Sequence, residues 1–185
     1  AFAADWAPGS TDWDKLPEAK KSKVGLYLTP QQAYEMKKRN PQGIAFFDIR
    51  TRAEAVYVGM PSDAVALVPF VEHQEIMVDW DDKRHMYKLE PNQDFVTEFE
   101  RRLKEKGLGK EATIILICRS GDRSAKAQDR LQQAGYTKVY GIAEGFEGDT
   151  AKGGAQEGQR VVNGWKNAGL PWTYKLDRAK MYFAR

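Results

Sequence analysis

The run Ile114-Ile115-Leu116-Ile117 leaves no polar face on an extended chain, so a strand formed there must be covered on both sides. Neighbouring stretches supply the cover. Upstream, Phe95, Phe99 and Leu103 recur every four residues on one helical face that Gly107 closes; downstream, Ala127, Leu131 and Ala134 form a second stripe, with Gly135 as its C-cap. Val139 to Ile142 reads as the next strand. Strands alternating with helices predict an α/β fold, a mostly parallel central sheet with helices on both faces.

The first half repeats the alternation. Thr29-Pro30-Gln31-Gln32 has the form of a helix entry, with Thr as N-cap, Pro at the first helical position and Gln32 placed to reach back, and Asn40-Pro41 ends that helix. Ile44 to Phe47 reads as a strand, Thr51 to Glu54 as a second capping box, and Ala64 to Val68 as another strand. Residues 69–91 form an irregular, aromatic-rich loop insertion (Phe70, His73, Trp80, His85, Tyr87), longer than an ordinary connection. Residues 147–158, rich in Gly, Ala and Lys, form a second, mobile one. Val161, Trp165 and Ala168 predict a final helix ended by Gly169-Leu170-Pro171. The chain thus reads as one domain, 1–185, with a core at about 24–172, an arm (1–23) lying over its surface, and a tail (173–185) whose aromatic residues pack on the domain or a neighbour.

With 42% hydrophobic and 30% charged residues, the 185-residue chain suits a single soluble domain. Its 29 basic and 26 acidic side chains are too balanced and scattered to predict a nucleic-acid or membrane surface, though a net charge of +3 favours small anions. No apolar stretch approaches the ~18 residues of a membrane span. Ala1-Phe2-Ala3 has the small-x-small form of a signal-peptidase site, which makes an exported, periplasmic chain the expectation and a truncated cytoplasmic one the alternative. Oligomeric state is not encoded in any pattern here.

Cys118, the only cysteine, follows the apolar strand directly and precedes Arg119-Ser120-Gly121-Asp122-Arg123-Ser124. That position is the carboxyl edge of the sheet, where open α/β folds bind ligands. A short glycine-containing loop turns backbone N–H groups inward, and the first turn of the next helix adds its unsatisfied donors and positive dipole end. These, with Arg119 and Arg123, favour thiolate over thiol. The bland alternative is an inert core cysteine, a common fate for this residue type. The polar loop argues against it.

CRSGDRS resembles the active-site loop of the rhodanese-like sulfurtransferases, and other segments agree. FFDIRTRAEAVYVG is similar to the family's strand, Asp-x-Arg, Glu and Gly, here Asp48, Arg50, Glu54 and Gly59. MPSDAVALVPF is similar to its Pro-Gly-Ala-x-x-(Ile/Val)-Pro element, with Ser62-Asp63 in place of the simple glycine; LQQAGYTKVYGIAEGF and GWKNAGLPW match the last strand and terminal helix. The resemblance implies a rhodanese-like fold with two loop insertions, no cofactor and no metal. It also implies a two-step reaction, with Cys118 as nucleophile and Arg119, Ser120, Gly121, Asp122, Arg123 and Ser124 as the cradle. Thiosulfate or another small anionic donor is drawn in by Arg119 and Arg123, and an external thiol, cyanide or a protein accepts the sulfur from a Cys118 persulfide. Asp48 and Arg50 support the site, with an Arg50–Glu54 pair expected to be structural. His73 and His85 are expected to face solvent, having no second cysteine or spaced carboxylates beside them to make a metal site.

Two rivals remain at this stage. A cysteine phosphatase or arsenate reductase also uses a thiolate in a loop ending in arginine, but protein phosphatases space the two further apart; here only four residues separate Cys118 from Arg123, and Ile117 stands where a His often precedes the cysteine. A persulfide carrier or sulfur-binding module would use the same loop without turnover, and long insertions able to restrict the acceptor favour it.

Overall fold

The computed structural model describes residues 9–184, so the Ala1-Phe2-Ala3 pattern lies outside the described residues. Two short 3-10 turns in the arm (Trp13–Lys15, Glu18–Lys20) lead to β1 (Tyr27–Leu28) and α1 (Pro30–Arg39). Then come β2 (Ile44–Asp48), α2 (Arg52–Val58), β3 (Met60–Pro61), β4 (Ala66–Leu67), β5 (Val71–His73), β6 (Trp80–Asp81), β7 (Met86–Tyr87) and β8 (Leu89–Pro91). The chain continues through α3 (Phe95–Glu105), β9 (Thr113–Ile117), α4 (Asp122–Gln133), β10 (Val139–Ile142) and β11 (Trp172–Thr173).

Both capping boxes form. Thr29 Oγ1 accepts the Gln32 N–H at 3.1 Å while Gln32 Oε1 accepts the Thr29 N–H at 2.9 Å, and Thr51 and Glu54 repeat the exchange at the head of α2. The central sheet is parallel throughout, in the order β1-β10-β9-β2-β4. Its alternating residues feed two cores. Phe47, Ile114, Leu116 and Val139 meet Phe95, Phe99, Leu103, Ala127 and Leu131 of α3 and α4, whereas Phe46, Ile115, Ile117 and Ile142 meet Ala33 of α1 with Phe146 and Trp165. Helices therefore cover both faces, as the unbroken apolar run of β9 requires.

Register decides what reaches the carboxyl edge. Asp48 pairs with Ile117, so the residues after β2 and β9, where Arg50 and Cys118 stand, emerge side by side.

Two expectations need correction. Residues 69–91 are not irregular: β5 pairs antiparallel with β8 and β6 with β7, and Asp81 Oδ1 accepts the Lys83 and Arg84 N–H groups in the turn. Each ladder is two or three residues long, too short for period-two alternation to show. The predicted helix over Val161–Ala168 is instead a set of turns. Trp165 and Lys166 donate their N–H groups to the carbonyls of Gly145 and Phe146 rather than back along a helix, Gly164 holds φ +100°, and Val161 is exposed. Burying Trp165 completely against the sheet takes precedence over helical periodicity. The strand expected at Ala64 to Val68 forms with Ala66–Leu67 at its centre, and Val65 and Val68 donate their N–H groups to the Phe46 and Asp48 carbonyls of β2. In the tail, β11 pairs antiparallel with β3 and Tyr182 is buried, while Tyr174 and Phe183 remain exposed.

Candidate active site

Cys118 follows β9 and its side chain is wholly buried. Gly121, at φ +102°, takes the left-handed conformation that turns the chain into α4, and its N–H donates to Cys118 Sγ at 3.1 Å; the Ser124 N–H, in the first turn of α4, donates at 3.4 Å. The loop thus aims helix-start donors at the sulfur, an arrangement that stabilises negative charge there.

The loop is clamped from beneath by the turn after β10. Phe146 donates its N–H to the Cys118 carbonyl at 2.8 Å, and Glu147 and Gly148 donate theirs to the Arg119 carbonyl at 3.0 and 3.2 Å. Glycines permit the close approach. A Cβ at Gly121 would lie 2.3 Å from the Ala143 carbonyl oxygen, and one at Gly145 would lie 2.4 Å from the Arg119 carbonyl. Lys20 donates to the Ala143 carbonyl and pairs with Asp149, tying this turn to the arm.

The charged residues pair differently from the expected pattern. Arg50 pairs with Asp48, both fully buried and 2.6 Å apart, and also donates to the Gly59 carbonyl. Its guanidinium lies 4.1 Å from the centre of the ring of Phe146, the residue whose N–H donates to the Cys118 carbonyl. Glu54 instead takes Arg123 in a two-pronged pair at 2.7 and 2.6 Å, linking α2 to α4. Burial pushes the Glu54 carboxyl up, but Arg123, the Thr51 N–H and the charge of Arg50 outweigh it and hold it at about 2. Burial likewise lowers Arg123, and Glu54 more than offsets this, leaving it above its ordinary value. The charge of Arg123 is therefore answered within the protein, and it is not the free anion attractor that the sequence suggested.

Above the loop lies a cleft of about 560 Å³. Arg119, Asp122, Arg123, Glu54 and Thr51 line its lower part; His73, Arg84, His85, Met86 and Leu89 of the β5–β8 hairpin form one wall, and Arg160 another. His73 is half-buried there, with a buried Nδ1 that has no hydrogen-bond partner, so the expectation of two solvent-facing histidines holds for the exposed His85 alone. Arg119 Nε and Ser124 Oγ are also buried without partners. Burial and the nearby charge of Arg119 lower the Arg160 pKa. Sequence reasoning named none of Arg84, Arg160 and the histidines as site residues, for none lies near Cys118 in sequence: Arg84, His73 and His85 fall within the 69–91 insertion and Arg160 just beyond the 147–158 one. Ser120 sits in the loop, half-buried. Among the described residues no group of three or more His, Cys, Asp or Glu side chains is placed to hold a metal ion, and no helix is long and apolar enough to cross a membrane.

The chain is similar to several known proteins. An uncharacterized protein of Rickettsia rickettsii, an RP600 homolog, is 29% identical over 143 residues, covering 77% of this chain and 93% of that protein. A tRNA uridine(34) hydroxylase of Bdellovibrio bacteriovorus is 25% identical over 151 residues, 70% of this chain but only 43% of the longer relative. The crystal structure of Rv0390 from M. tuberculosis superposes with a TM-score of 0.60 at 29% identity, over 80% of this chain and 96% of that one. The rhodanese-like domain pattern itself matches residues 29–152, from the cap of α1 past the cysteine loop and its clamp, and the chain belongs to the rhodanese-like family.

Proposed function

We propose that the protein is a sulfurtransferase in which Cys118 carries a sulfane sulfur from a donor such as thiosulfate to an external thiophilic acceptor. The observation that supports this best is the convergence of the Gly121 and Ser124 N–H groups on Cys118 Sγ. An inert core thiol has no use for them. In the first step the Cys118 thiolate bonds to the outer sulfur of the donor, the donor's S–S bond breaks, and sulfite leaves with the electron pair. The persulfide anion then lies at the helix start, where Gly121, Ser124 and their neighbours donate to it. In the second step an acceptor nucleophile takes the outer sulfur and the bonding pair returns to Sγ. Because Cys118 is covered, the donor meets it only after a side chain in the cleft floor turns aside. Arg119, which no carboxylate among the described residues holds in an ion pair, is freer to do so than Arg123, which Glu54 grips.

The same pair argues against phosphatase or arsenate reductase chemistry. In those reactions the loop arginine grips the oxyanion, and here it is engaged by Glu54. A non-turnover carrier shares every step but the repetition, so turnover number separates it from an enzyme.

The test is mass spectrometry of the full chain treated with thiosulfate and desalted. One added sulfur is expected, lost on adding cyanide and absent from Cys118→Ser. A serine variant that still gains sulfur, or a wild-type chain that gains none from any sulfane donor, overturns the proposal.

A further inference from the structure

We infer that the cleft selects an elongated small-molecule thiol, or its persulfide, bearing at least two anionic groups, with Arg84, Arg119 and Arg160 as the residues that choose it. The inference rests on the sulfurtransferase reading and adds the class of the organic substrate. Size comes first. At about 560 Å³ the cleft falls within the roughly 300–1,000 Å³ of pockets that enclose drug-sized ligands, far more room than thiosulfate, little larger than a sulfate ion, can fill.

Charge narrows the class. Four arginines face the cleft against two carboxylates, and one of those carboxylates, Glu54, is consumed by Arg123. Of the three arginines left, Arg84 lies 3.9 Å from Asp81 with half its side chain exposed, Arg119 has a buried Nε without a partner, and Arg160 gives one Nη1 hydrogen bond to the Gly148 carbonyl. Each keeps N–H donors for a ligand. They come from three separate parts of the chain, the hairpin, the cysteine loop and the segment after 158, so one compact anion does not engage all three as well as an extended one does.

The apolar wall completes the argument. Met86 and Leu89 line the same cleft as Arg84, and a carbon skeleton between two anionic ends gains from that contact, whereas an inorganic donor has nothing to place there. The reaction needs no further reagent. The bound thiolate forms a bond to the outer sulfur of the Cys118 persulfide, the bond between the two persulfide sulfurs breaks, and its electron pair stays on Sγ. The organic persulfide departs.

Full-length protein loaded with sulfur by thiosulfate is discharged with glutathione, with glutathione diethyl ester or with cyanide, and rates are expressed per thiolate for the two thiols. Two partly exposed guanidinium–carboxylate contacts predict a preference of about tenfold for the free acid over the ester, shrinking as salt rises. Arg84→Gln and Arg160→Gln should each cut that preference about threefold. Equal use of acid and ester by the wild-type protein, or a preference that neither substitution alters, would overturn the inference, while persulfide that cyanide still discharges would leave the sulfurtransferase proposal standing. A wild-type chain that never loads sulfur defeats both.

Discussion

The cysteine loop and the β5–β8 hairpin face each other across one cleft and are built in opposite ways. In the loop every main-chain turn is held by a partner: Gly121 and Ser124 on the sulfur, Phe146, Glu147 and Gly148 on the carbonyls of Cys118 and Arg119, and the Glu54–Arg123 pair across the floor. The hairpin is tied mainly to itself. Its ladders are two or three residues long, and Ile76, Met77, Val78, Trp80 and Tyr87 stand exposed at or near its tip, Ile76 and Val78 at 73%. The contrast teaches a division of labour. A nucleophile must be held to a fraction of an ångström, whereas a wall that chooses substrates works through side chains that adapt.

The largest effect should come from forcing the loop off its clamp. Gly145→Ala places a Cβ 2.4 Å from the Arg119 carbonyl on a residue at φ +69°, so backbone must move. A stability loss of about 3 kcal/mol or more in urea unfolding is expected, with sulfur loading of Cys118 lost at the same time. Unaltered loading would mean that the clamp does not position the loop.

Next comes Glu54→Gln, which leaves Arg123 with an uncompensated charge and should cost about 3 kcal/mol. The pH dependence gives the sign. Glu54 is held at about 2, below its ordinary 4.5, so its contribution is complete above about pH 4.5 and is lost as pH falls toward 2. The stability gap between wild type and Glu54→Gln should therefore close across that window. A gap that stays constant would show that the charge of Glu54 is not its source.

Replacing Gln74–Lys88 by a short turn should reverse that pattern, costing less than about 1 kcal/mol because the removed residues are largely exposed, while the ratio of glutathione to cyanide discharge changes several-fold. Equal loss of both activities would make the hairpin part of the loop's support instead of a selecting wall. The smallest effect belongs to Trp80→Ala, about 0.5 kcal/mol in stability, since Trp80 is exposed and meets Tyr87 edge to face on a two-residue ladder. A larger loss would show that the tip is not independent of the domain.

Much of this molecule was legible in its residues. The capping boxes of Thr29 and Thr51, the apolar run of β9 and the stripes of α3 and α4 are local patterns whose physics is complete within a few residues, and the structure matches them. The cysteine loop is legible for the same reason, because strand, glycine and helix start are consecutive. The Val161–Ala168 segment misled because its spacing suits a helix, while its N–H groups are claimed by Gly145 and Phe146. Pairing was also out of reach: Glu54 and Arg50 lie four residues apart and look like partners, yet Arg50 turns to Asp48 and Glu54 to a guanidinium 69 residues away.

By itself, then, the sequence determined the alternation of strands and helices, the caps, and the placing of a lone thiol before a helix start, all consequences of short-range sterics and hydrogen bonding. Tertiary structure alone decided which arginines remain available above that thiol. It brought Arg84 from a hairpin and Arg160 from a bridge with Thr150 to the cleft of Arg119, and engaged Arg50 with the buried Asp48 and Arg123 with Glu54. The reason is that a buried charge takes the partner the packed sheet and helices bring within reach, and that geometry exists only once the chain has folded.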